Sequence, residues 1–132
     1  MDESDDIIYE QYKKAVQSIK ALSIDCGKDN WDGYGAKSVS QTVIDNAVKV
    51  LGMLPVGTAI PDTGAEPQGD VALDWYDGQS TILSISVGED NFLPYAWCLA
   101  EGGKKGHGVF KFENELPKEM IDLINKVTKP TA

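Results

Sequence analysis

The sequence predicts an α+β domain with an antiparallel sheet, and three observations lead there. Helical periodicity is confined to the stretches before Pro55 and after Leu116. Between Val71 and Phe112 apolar residues alternate with small or polar ones, the period of half-buried strands. The connections there, "DGQ", "GEDN" and "EGGKK", are short and glycine-bearing, as hairpins require. Helices segregated from sequential strands define the α+β class. The predicted order is two N-terminal helices, a four-stranded antiparallel meander and a C-terminal helix, in one domain over residues 1–132.

The first helix is predicted over Asp5–Leu22. Ile8, Tyr12, Ala15, Val16, Ile19 and Leu22 form its stripe, and acids precede lysines as the helix dipole prefers. "DCGKDN" ends it, with Gly27 a C-cap candidate. The second helix runs from about Val39 to Leu54 on Val43, Ala47, Val48, Leu51 and Leu54. Ser38 with Gln41 fits a capping box, Ser40 is the competing N-cap, and Pro55 stops the helix. Residues 55–70 hold three prolines and three glycines and read as a loop with a short extended piece at Thr58–Ile60. Strands follow in "VALDWY", "TILSISV", "FLPYAWCLA" and "GHGVFKF". The last helix covers Leu116–Val127, with Pro117 in its first turn and Pro130 beyond its end.

Loop lengths suggest a register. Leu73 pairs with Leu83, Ile85 with Tyr95, and Trp97 with Gly108, where the indole covers a strand glycine. All large apolar strand residues then share one face, on which the helices pack. The opposite face carries Ala72, Asp74, Tyr76, Ile82, Ser84, Ser86, Ala96, Cys98, Ala100, His107, Val109 and Lys111. It is smooth and weakly polar, which suits a partner, a ligand or a cover formed by loop 55–70.

Charge narrows the function. The formal net charge is −9 and the sequence contains no Arg. Phosphate contacts need clustered cations, so nucleic acid and anionic membrane surfaces are disfavoured as partners, and a phosphate-handling enzyme loses its usual clamp. No apolar run reaches the length of a membrane span, and the acidic start does not resemble a secretory signal. A cytoplasmic location is expected, with Cys26 and Cys98 as reduced thiols.

Few residues invite chemistry. The register above places Asp74, Ile82, Cys98 and His107 in one row, the raw material of a thiol nucleophile. Cys98 is mid-strand, however, and no oxyanion-hole element is visible. Cys26, Cys98 and His107 are too scattered for zinc, and no metal or cofactor is expected. "EGGKKGHG" lacks the Lys-Ser/Thr ending of a phosphate loop and reads as a locally basic hairpin tip. A protein that imitates nucleic acid would need more acids along one surface.

The densest motif is "NWDGYGA", Asn30–Ala36. Gly33 and Gly35 supply backbone angles other residues avoid, and Asp32 can accept local amides. Trp31 and Tyr34 can anchor the turn on the core. The motif reads as a structural clasp between the helices or as a ligand loop. Trp31, Asp32 and Tyr34 are therefore candidate binding residues, with Tyr76, Ser84 and His107 on the smooth sheet face.

Trp31–Ala36, Leu54-Pro55, Leu73-Asp74-Trp75, Gly106-His107-Gly108 and Leu116-Pro117 together resemble the signature of a family of small bacterial proteins without assigned chemistry. That resemblance spans about residues 28–125 and implies a toxin-neutralising or defence-related role. With the residue-level evidence, the expected function is a non-catalytic protein that binds a macromolecule: a protein partner, or a second copy through the small-residue face. The alternatives are a thiol enzyme using Cys98 and His107, and an acidic nucleic-acid mimic.

Overall fold

The computed structural model describes residues 3–78 and 80–128. Gln79 and Pro130, expected in a turn and beyond the last helix, lie outside them. The chain forms α1 (Glu3–Asp25), α2 (Gln41–Gly52), β1 (Asp62–Ala65), β2 (Val71–Asp77), β3 (Thr81–Val87), β4 (Phe92–Cys98), β5 (Lys105–Lys111) and α3 (Lys118–Thr128). The strands make one antiparallel sheet in the order β1-β2-β3-β4-β5.

The helices follow their stripes. α2 buries Val43, Ile44, Ala47, Val50 and Leu51, and α3 buries Met120, Ile124 and Val127. Of the two possible N-caps, Ser40 is used, its Oγ accepting the Val43 N–H at 3.3 Å. Ser38 is committed elsewhere, its N–H donating to Asp29 Oδ1. Gly27 is not in the left-handed region expected of a helix-ending glycine. Glycine is needed there because a Cβ would collide with the Ser23 carbonyl oxygen.

The expected four-stranded sheet has a fifth strand. The extended piece lies at Asp62–Ala65 rather than Thr58–Ile60, and pairs along β2 from Asp62↔Asp74 to Ala65↔Val71. Its sequence, "DTGA", has little strand propensity of its own. Pairing with the open edge of β2 makes it a strand, as context commonly does in sheets. Before it, Thr58 is buried in a turn, and the Trp75 indole N–H holds the segment by donating to the Ala59 carbonyl.

Two of the three expected registers shift by two residues. Leu73 faces Ile85 and Trp75 faces Leu83, because Asp77 pairs with Thr81 and the turn begins at Gly78, φ 73°. β4 and β5 are joined by a wider turn than Gly102-Gly103 alone. Leu99 N–H donates to the Lys104 carbonyl, and both glycines take positive φ. Trp97 therefore faces Gly106 and Tyr95 faces Gly108. A Cβ on Gly106 would lie 2.8 Å from the Trp97 ring, and one on Gly108 2.6 Å from the Tyr95 hydroxyl. Each aromatic thus occupies the space of a missing side chain. The third register, Ile85 with Tyr95, is as expected.

A two-residue slip leaves every side chain on its face. Val71, Leu73, Trp75, Leu83, Ile85, Val87, Leu93 and Phe110 all point to the side holding the helices and join their buried residues in one core. α2 and α3 lie across β2 and β3, while α1 packs on α2 and β1. The other face of the sheet carries none of this core. Loop 55–70 does not roll over it. It lengthens the sheet edge as β1 and is pinned from behind by the Lys37 N–H to Pro67 carbonyl bond. Among the described residues, no helix is long and apolar enough to cross a membrane.

Candidate functional site

Two regions hold the candidate residues, and they differ in how their polar groups are used. In the loop after α1, Asn30 takes a left-handed φ of 63° and its Oδ1 accepts the Gly35 N–H at 2.6 Å. Asp32 Oδ1 accepts from Tyr34 N–H at 2.8 Å and Ala36 N–H at 3.1 Å. Asp29 Oδ1 accepts from Ser38 N–H at 2.9 Å, which holds the Asp29 carboxyl below its ordinary value. The half-buried Trp31 packs against the core and donates its indole N–H to the Lys37 carbonyl at 2.7 Å. These partners are local: every one lies within residues 29–38, so the bonds fold the loop onto itself and onto the run into α2, the geometry expected of a clasp. Tyr34 departs from the expected anchoring: it is 94% exposed at the tip.

The second region is the outer sheet face. Its rows follow from the ladder. One runs Asp62, Asp74, Ser84, Ala96, His107 and the next Tyr76, Ile82, Cys98, Lys105. The expected row of Asp74, Ile82, Cys98 and His107 therefore does not exist. The shift of β2 against β3 moves Asp74 beside Ser84, and that of β5 against β4 moves His107 beside Ala96. Cys98 and His107 occupy adjacent rows, and the cross-strand neighbour of Cys98 is Lys105.

This face is chemically graded. At the β1–β2 side stand Asp62, Asp74 and, beyond the end of β1, Glu66, whose Oε1 accepts the Ser86 hydroxyl at 2.6 Å. Tyr76, half exposed, donates its hydroxyl to Asp74 Oδ2 at 3.3 Å. The Asp74 charge, then burial and that bond, then Asp62, hold the phenol above its ordinary value. Asp74 Oδ1 is shielded and has no hydrogen-bond partner. Nearby, burial and then the charges of Glu66, Asp90 and Glu89 push the Asp70 carboxyl up. The middle is small-residued: Ala72, Ser84, Ser86 and Ala96. At the β5 side Lys105, His107 and Lys111 are exposed. Between middle and β5 lies an open depression of about 560 Å³ lined by Ile82, Ser84, Ala96, Cys98, Lys105 and His107. The exposed large apolar side chains carried by strands, Tyr76, Phe92 and Val109, are all on this face.

Of the predicted binding residues, the structure gathers Tyr76, Ser84 and His107 on one surface and leaves Trp31, Asp32 and Tyr34 in the separate clasp. Asp62 and Glu66 were missed. The sequence carries little signal for them, since Asp62–Ala65 buries no apolar stripe and is a strand only by pairing with β2. Among the described residues, no group of three His, Cys, Asp or Glu is placed to hold a metal ion. No family model, curated protein or solved structure matches the chain.

Proposed function

We propose that this is a non-catalytic protein that binds a protein partner through the outer face of its sheet. The observation that carries the reading is the face itself. It spans five strands, is uncovered by helix or loop among the described residues, is small-residued at its centre and holds exposed Tyr76, Phe92 and Val109. Monomeric sheets normally place a charged, solvated row there, and a continuous smooth patch marks an interaction surface. The thiol-enzyme alternative has less support, because Cys98 and His107 are in different rows. A nucleic-acid mimic fits poorly with a face whose β5 side exposes Lys105 and Lys111. A toxin-neutralising or defence-related role, implied by the motif resemblance, is one form such binding could take.

The test is Ala96→Arg, which sets a long cation on an exposed position at the centre of the face. Partners captured by the wild type in its native cell are compared with those of the variant. The expected result is loss of a specific partner with an unchanged melting temperature. A variant that keeps every wild-type partner would discard the reading.

A further inference from the structure

The outer face has opposite charges at its two margins, and that arrangement selects an occupant. Acids lie along β1 and β2 and cations along β5, where Lys111 also pairs with Glu113 of its own copy at 3.5 Å. The residues between are uncharged, small at Ala72, Ser84, Ser86 and Ala96 and larger at Ile82, Pro94 and Phe92. Consider a second copy laid face to face about a two-fold axis that runs along β3, parallel to the strands. The operation exchanges the two margins: β1 of one copy lies over β5 of the other, β2 over β4, and β3 over itself. Asp62 meets the second copy's His107, in the same row. Continuing the register past the ends of the ladders, Glu66 lies in the row of Lys111 and meets the second copy's Lys111. The Ser84 residues meet each other at the axis. An axis perpendicular to the strands would instead set acid on acid and Lys on Lys. A two-fold interface pairs residue i with j and j with i, so a face with opposite margins complements itself.

We infer that the outer sheet face binds a second copy of this chain, about a two-fold axis parallel to the strands. The inference rests on the binding reading above and names its partner.

The area agrees with a reversible dimer. Four strands of seven residues and β1 of four, about 4.8 Å apart with about 3.4 Å per residue, make a patch of roughly 500 Å² per copy. The total, about 1,000 Å², is at the lower limit for a specific interface. Charge at the margins would then set the alignment. The small centre, Ala72, Ser84 and Ala96, allows the two sheets to approach to about 10 Å.

A competing arrangement joins β5 to β5 at the sheet edge. In an antiparallel register centred on Gly108 it would put Lys105 opposite Lys111 of the other copy, and like charges directly opposed destabilise a strand pair.

The experiment is sedimentation equilibrium of the full chain over a range of concentration and salt. Two variants are used: Lys105→Glu with Lys111→Glu, acidic at both margins, and Asp62→Lys with Glu66→Lys, basic at both. Circular dichroism melts confirm that each folds. The wild type is expected to dimerise with a dissociation constant that rises with salt. Each variant alone should dimerise at least about tenfold more weakly. An equimolar mixture of the two should regain the affinity as a heterodimer. If the basic variant fails to fold because Glu66 loses Ser86, Asp62→Lys alone takes its place.

A wild type that stays monomeric throughout overturns the inference. So does a dimer indifferent to both variants, which must use another surface, or a mixture that does not recover. A monomeric wild type whose Ala96→Arg variant still loses its cellular partner would sink the self-association and leave the binding reading standing. Retention of every partner would sink the binding reading itself.

Discussion

Asp29 and Asp70 are carboxylates in two parts of the molecule, and their surroundings push them in opposite directions. Asp29 accepts the Ser38 N–H in the clasp and is held below the ordinary carboxylate value. Asp70, at the acidic margin of the outer sheet face, is half-buried near Glu66 and Asp90 and is held above it. The clasp satisfies its carboxylates with its own amides. The outer face keeps like charges together and leaves an oxygen of Asp74 without a partner. A region whose polar groups are consumed internally is organised for its own shape. One that leaves a shielded carboxylate oxygen unpartnered beside small and apolar residues is the region that the proposed binding would use. Substitutions in the two regions should therefore read out differently, stability in the clasp and association on the face.

The largest expected effect is that of Trp31→Ala. The indole is half-buried against the core and donates to the Lys37 carbonyl. Loss of a fully buried large aromatic costs about 3–5 kcal/mol. Partial exposure lowers that to about 2–4 kcal/mol here, including roughly 1 kcal/mol for the hydrogen bond. Urea unfolding measures it, and an unchanged midpoint would show that the indole is free for a ligand. Next comes Asp32→Ala, which strands two amide donors and should cost about 1–2 kcal/mol. Asp32→Asn keeps an acceptor and should recover part of the loss.

Smaller, and of opposite sign between the regions, are the effects of neutralising the two contrasted acids. For Asp29 the folded value is lowered. Its stabilisation is present above the unfolded carboxylate value and is lost as pH falls through the folded one. Asp29→Asn should therefore destabilise the protein near neutrality and converge on the wild type in acid. For Asp70 the folded value is raised, so ionisation costs stability above that value, and the cost vanishes as pH falls through it. Asp70→Asn should therefore stabilise near neutrality, with the gain closing in acid. Melting temperatures across that pH range check both, and two shifts of the same sign would erase the contrast.

What was legible in the sequence follows the same division. α1, α2, α3 and strands β2–β5 announce themselves because each must bury a periodic stripe, and the periodicity put the large apolar residues of β2–β5 on the face that packs on the helices. β1 was hidden because Asp62, Thr63, Gly64 and Ala65 bury little and owe their extended form to the neighbouring edge of β2. The registers slipped by two because turn geometry depends on which glycines take positive φ, here Gly78, Gly102 and Gly103, and composition does not fix that. The consequence for the site was direct. With β1 unread, Asp62 and Glu66 were absent from the face and its acidic margin was invisible. With β5 misplaced, Cys98 and His107 looked like neighbours.

The smallest expected effect is the sharpest probe of the clasp. Tyr34 is 94% exposed, and its backbone N–H, not its ring, is what Asp32 holds. Tyr34→Ser keeps that N–H and removes only the ring. Surface substitutions away from packing and caps stay within about ±0.5 kcal/mol. The melting temperature should therefore hardly move, and dimerisation through the sheet face should not change, since the clasp is a separate surface. A clear fall in melting temperature would mean that the ring packs on the body of the protein in solution. A loss of self-association with the melt unchanged would place Tyr34 in the interface. The clasp would then join the contact surface, and the separation of the two regions would fail.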